Sequence, residues 1–89
     1  MMYAYMTLAD GTEIVHSQLL EKDGKKSVEV HFERPTEEGF DTARYALPTY
    51  EWLIRDGYTD EKIAGFEVFL RNNAHLLYRF AESGGTQCA

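Results

Sequence analysis

This 89-residue chain has little cysteine, proline or positive charge. A single cysteine, Cys88, cannot form an internal disulfide, so nothing here requires an oxidising compartment. Set in "GGTQCA" with no histidine nearby in sequence, it reads as incidental. No run approaches the ~20 apolar residues of a membrane-spanning helix. The first residues, "MMYAYMTLADGTE", lack a basic region and a long apolar run, so no signal peptide is expected. The expected location is the cytoplasm, with no membrane contact. Four lysines and five arginines stand against fifteen acids, a net charge of −6. That balance repels phosphate, and nucleic-acid binding rests on cations that displace counterions, so no nucleic-acid partner is expected.

Catalytic signatures are missing as well. There is no phosphate loop, nucleophile elbow, zinc-binding helix or calcium loop, and no Ser/His/Asp set assembles from the spacing. No catalytic residue and no cofactor is assigned, and a non-enzymatic protein is expected.

Apolar residues make up 44% of the chain, with eleven Phe and Tyr, enough for a packed core. The length suits one domain, read as residues 1–83 with a flexible tail at 84–89. The hydrophobic period changes near Pro48, from a strand pattern to a helix pattern. The spacing predicts strands over Met2–Leu8, Glu13–Leu20, Ser27–Arg34 and Phe40–Leu47. Asp10-Gly11 and Asp23-Gly24 are strong hairpin signals between the first three. A short helix over "PTYEWLIRDG" is predicted from Pro48 in its first turn and Gly57 at its end. In it, Tyr50 and Trp52 cover the core. Thr59 or Asp60 caps a long helix with Ile63, Phe66, Leu70, Leu77 and Ala81 on one stripe, widened by Phe69, Leu76 and Phe80. Asn72-Asn73 bends or recaps it. The fold class is thus α+β: a four-stranded antiparallel meander in order 1-2-3-4, with a short and a long helix packed on one face.

If each Asp-Gly is a complete two-residue loop, the strand registers follow. Leu19 then faces Val28, Val15 faces Phe32 and His16 faces His31; Met6 faces Val15 and Tyr5 faces His16. Met2, Ala4, Met6, Val15, Leu19, Val28, Val30 and Phe32 converge on one side. For the fourth strand, Ala43 opposite Phe32 and Arg44 opposite His31 fit best. The outer face then carries a row of Tyr5, His16, His31 and Arg44, flanked by Tyr3, Gln18, Glu29 and Glu33. Aromatics and Arg suit a contact surface. His16 and His31 are also a candidate metal pair, with Glu29 or Glu33 as a third ligand. His75 reads as a helix-surface residue.

"EVHFERPTEEGFDTAR" together with "DGYTDEKIAGFEVFLRNNAHLLYRFAESGG" resembles short uncharacterised proteins of gut anaerobic bacteria, a family of unknown function with some members near mobile elements. The resemblance implies a bacterial accessory protein and no activity, cofactor or site residue. The leading expectation is an interaction module, with a homodimer as one form of it, acting through the outer sheet face or an exposed edge on the first or fourth strand. The alternatives are an acidic inhibitor or nucleic-acid mimic that occupies a basic surface, and a metal- or ligand-binding protein using His16 and His31.

Overall fold

Alternation along the longest strand sets the layers. Val28, Val30 and Phe32 are fully buried, and Glu29, His31 and Glu33 point the other way. The computed structural model describes residues 2–47 and 49–82. Its elements are β1 (Met2–Thr7), β2 (Glu13–Ser17), β3 (Leu20–Lys22), β4 (Lys25–Thr36), β5 (Gly39–Leu47), β6 (Glu51–Asp56) and α1 (Asp60–Glu82). The class is α+β as expected, but with six strands and one helix in place of four and two. The sheet runs β1-β2-β4-β5-β6, and β3 pairs with the far end of β4. The helix lies across β2 and β4. Pro48 and the tail at 84–89, with Cys88, lie outside the described residues.

The helix stripe is as the period predicts. Ile63, Phe66, Leu70, Leu77 and Ala81 are its buried residues. Thr59 caps it, accepting the Lys62 amide on its hydroxyl and the Ile63 amide on its carbonyl. No break falls at Asn72-Asn73. The Asn73 side chain donates to the Phe69 carbonyl and accepts from the Tyr5 hydroxyl, both at 2.8 Å, so the amide ties helix to strand.

The expected short helix is instead β6. Tyr, Trp, Leu and Ile favour a pleated surface, and a helix of that length is marginal in water. Trp52 still covers the core, its ring 4.6 Å from Tyr45, and its indole N–H donates to Glu67 on the helix. Tyr50 stays exposed, in the left-handed region at φ 56°. Gly57 ends a strand rather than a helix. Its φ of 93° suits glycine, and a Cβ there would overlap the Asp41 carboxylate.

Two hairpins differ from the expected register. Asp23-Gly24 is the two-residue loop expected, with both residues at positive φ and Lys22 opposite Lys25. Beyond it, Ser17, Gln18 and Leu19 together face only Val28 and Glu29, and the ladder resumes one residue out of step. His16 therefore faces Val30, and Val15 faces His31. Local bonds hold the bulge. The Glu29 amide donates to Ser17 Oγ at 3.0 Å, and the Leu19 amide donates to the Ala81 carbonyl at 3.3 Å. The first loop is wider than Asp10-Gly11 alone. The Leu8 amide bonds the Thr12 carbonyl and Thr7 faces Glu13. A second bulge, at Tyr5, moves the register once more.

The core changes accordingly. Ile14 and His16 of β2 are fully buried, while Val15, read as core, is half-buried on the opposite face. Met2, Ala4 and Met6, also read as core, are exposed, and Tyr5 packs inward against Phe69 and Phe80. Leu19 is partly buried against the core. The β4–β5 register is the expected one, with Ala43 opposite Phe32 and Arg44 opposite His31.

Candidate functional site

The expected row is divided between the two faces of the sheet. His31 and Arg44 are cross-strand neighbours on the face away from the helix, with Glu29 and Glu33 beside them on β4. Tyr5 and His16 are neighbours too, with ring centroids 6.3 Å apart, but under the helix; Tyr3 joins them 5.8 Å from His16. Gln18 is exposed on the bulge. The residue inserted in β2 turns His16 inward, because each step along a strand reverses the side-chain direction, and the wider first loop and the bulge at Tyr5 together bring Tyr3 and Tyr5 to the same side.

Joint metal binding by His16 and His31 is thereby overturned, since they occupy opposite faces. Among the described residues, no three His, Cys, Asp or Glu side chains are grouped to hold a metal ion. His16 has a structural role. A carbonyl only accepts, so the 2.8 Å contact with the Ser17 carbonyl places a proton on Nδ1. Its Nε2 is buried with no hydrogen-bond partner among the described residues. His75 is exposed on the helix.

The open face is built from three cross-strand rows. Its central row is Ala4, Val15, His31, Arg44 and Ile54, each opposite the next. On one side run Glu13, Glu33, Thr42 and Asp56, and on the other Glu29, Ala46 and Glu51. Five carboxylates thus flank a central row that holds one guanidinium. Glu29 is bonded to His31 at 3.1 Å. Glu13 and Glu33 stand directly opposite each other, a pairing that destabilises a sheet unless a cation joins it. Arg44 Nε is buried with no partner among the described residues. No second layer covers this face among the described residues.

Both edges are blunted. β1 is bulged at Tyr5 and β6 at Leu53, and bulges on edge strands obstruct pairing with another chain. The edges of the five-strand path are β1 and β6, not the fourth strand of the meander, and β3 pairs with β4 alone among the described residues.

Sequence reading missed Glu13, Val15, Glu51, Ile54 and Asp56 as members of this face. In the "EIVHS" of β2, two apolar residues adjoin, so alternation fits either orientation. Glu51, Ile54 and Asp56 fall in the stretch whose local signals suit a short helix.

A second polar group ties the first loop to the helix. Asp10 Oδ2 accepts from Arg34 at 3.2 Å and also from Lys62. Arg34 reaches Asp41 at 2.6 Å and lies over the Tyr58 ring. The Lys62 hydrogen bond, followed by the Thr12 amide, holds the Asp10 carboxyl well below its ordinary value of 3.8. A carboxyl depressed in the folded state stabilises fully above its unfolded value, and that contribution disappears as pH falls below it. Urea resistance is therefore expected to decline below about pH 4, with Asp10→Asn showing a shallower decline than wild type. Identical acid profiles would show that this carboxyl does not contribute.

Compared with known proteins, the chain matches no family model, no curated protein and no solved structure. No helix among the described residues is long and apolar enough to cross a membrane.

Proposed function

We propose that the protein is a non-enzymatic docking module whose open sheet face receives a basic surface of another protein. The observation that carries this reading is the arrangement of five carboxylates, Glu13, Glu29, Glu33, Glu51 and Asp56, around the Val15–His31–Arg44–Ile54 row. A partner's Lys or Arg entering between Glu13 and Glu33 relieves their repulsion, and Val15 and Ile54 supply apolar contact. Complementary charge steers such an encounter and sets its partner. A homodimer through the same face would set five carboxylates against five, so the partner is a different protein. Edge augmentation is disfavoured by the two bulges. The proposed setting is that of a bacterial accessory protein in the cytoplasm, as the resemblance implies.

The test compares immobilised wild type with a folded Glu13→Gln/Glu33→Gln/Glu51→Gln variant in capture from a bacterial lysate. Proteins captured by wild type at about 0.05 M salt are expected to be basic, and to be lost with the variant and at about 0.5 M salt. Equal capture by the variant would contradict the reading, as would a captured set no more basic than the lysate. Light scattering is expected to show a monomer at every concentration, and a dimer abolished by the same substitutions would also contradict it.

A further inference from the structure

Glycine directly follows aspartate at Asp10-Gly11, Asp23-Gly24 and Asp56-Gly57. An aspartate side chain can close on the amide nitrogen of the next residue, and glycine, lacking Cβ, leaves that nitrogen open to approach. We propose that Asp23 is a site of spontaneous isoaspartate formation, and that the fold protects the other two pairs. The Gly24 nitrogen bonds to Asp23 Cγ, the amide proton and the carboxyl OH leave as water, and a succinimide ring results. Water then opens the ring. Cleavage at the Cγ carbonyl restores aspartate, and cleavage at the main-chain carbonyl leaves the chain running through the side chain.

The surroundings of the three pairs differ. At Asp10-Gly11 both reacting groups are held. The Gly11 amide donates to the Leu8 carbonyl at 3.0 Å. The Asp10 carboxylate accepts from the Thr12 amide at 2.9 Å, from Arg34 at 3.2 Å and from Lys62. At the second protected pair, Asp56 stands in the ladder opposite Thr42. The Asp41 carboxylate, itself bonded to Arg34 at 2.6 Å, fills the space where a Gly57 Cβ would stand and fixes that stretch of chain. Asp23-Gly24 has neither restraint. Both residues are exposed, at φ 54° and 77°, in a two-residue loop. Among the described residues nothing is hydrogen-bonded to the Asp23 carboxylate or the Gly24 amide. The space where a Gly24 Cβ would stand is open to 4 Å. The three-residue β3 pairs with β4 alone among the described residues, so this turn opens without disturbing the other strands. The product adds one methylene to the main chain of a very short loop, so Lys22 and Lys25 lose their alignment and β3 its pairing.

The test ages folded full-length protein and the same protein unfolded in urea side by side at neutral pH. Cleavage after glutamate places the three pairs in separate peptides, residues 1–13, 22–29 and 52–61. Electron-transfer fragmentation of each peptide distinguishes isoaspartate from aspartate. In the folded protein isoaspartate is expected to accumulate at Asp23 about tenfold faster than at Asp10 or Asp56. In the unfolded chain the three rates should converge. Asp23→Asn replaces the departing water by ammonia, so it should speed ring closure there, read as conversion of the amide to an acid, with Asp10 and Asp56 unchanged. Amide exchange in the aged protein should quicken over Leu20–Lys22 and stay slow in β4 and β5. The proposal is overturned if Asp10 or Asp56 isomerises as fast as Asp23 in the folded protein. It is equally overturned if Asp23 stays intact while the unfolded chain reacts, or if the unfolded chain keeps the folded order of rates.

Discussion

Phe32→Ala is expected to leave little folded protein at moderate urea, with a loss of about 3–5 kcal/mol. Phe32 is fully buried and stacks on Phe66 at 4.2 Å, with Trp52 at 6.1 Å and Phe69 at 6.3 Å. It thus joins the central strand to β6 and to the helix. Truncation removes the burial of a large side chain and leaves a cavity that stiff neighbouring rings fill poorly. A domain of this length has a total stability of about 4–13 kcal/mol, so one substitution consumes a large share of it. Equilibrium urea unfolding of both proteins measures the difference. A loss under about 1 kcal/mol would mean that the ring cluster is not the centre of the core.

The second large effect is a contrast between neighbours. Ile14→Ala is expected to cost about 2–5 kcal/mol, and Val15→Ala no more than about 1 kcal/mol. Ile14 is fully buried opposite Phe32, whereas Val15 is half-buried on the open face opposite His31. Without the Ser17–Leu19 bulge, Val15 would be inside and Ile14 outside, and the order of the two costs would reverse. The comparison therefore reads the orientation of β2 from stability alone, by urea midpoints at matched slope.

Much of the architecture is legible in the sequence where local pattern and tertiary demand agree. The α1 stripe has five apolar residues at helical spacing, and all five are buried. Strict alternation from Val28 to Phe32 admits one orientation, and Ala43, Tyr45 and Leu47 alternate to match it in the observed register with β5. Asp23-Gly24 supplies the backbone conformation of its turn type and makes the loop expected.

The rest depends on contacts that no short window contains. A bulge adds a residue without changing composition, and this one is held by Ser17 Oγ and by the Ala81 carbonyl, more than sixty residues from Leu19. β6 has too few residues to distinguish a strand from a short helix, and its choice is made by Trp52 packing on Tyr45. The candidate site inherits both errors. Half of the expected row survives as His31 and Arg44, because β4 and β5 pair in the expected register. The other half turned inward with β2 and β1, so the open face shows carboxylates where aromatic rings were expected.

The orientation of β2 determines which side chains line the open face, and two-dimensional NOE spectroscopy measures it most directly. Cross-strand contacts between the backbones of Val15 and His31 and of His16 and Val30 are expected, with His16 ring protons close to Tyr3 and Tyr5. A direct backbone contact between His16 and His31, with the His16 ring away from both tyrosines, would contradict the inserted residue and the composition of the open face.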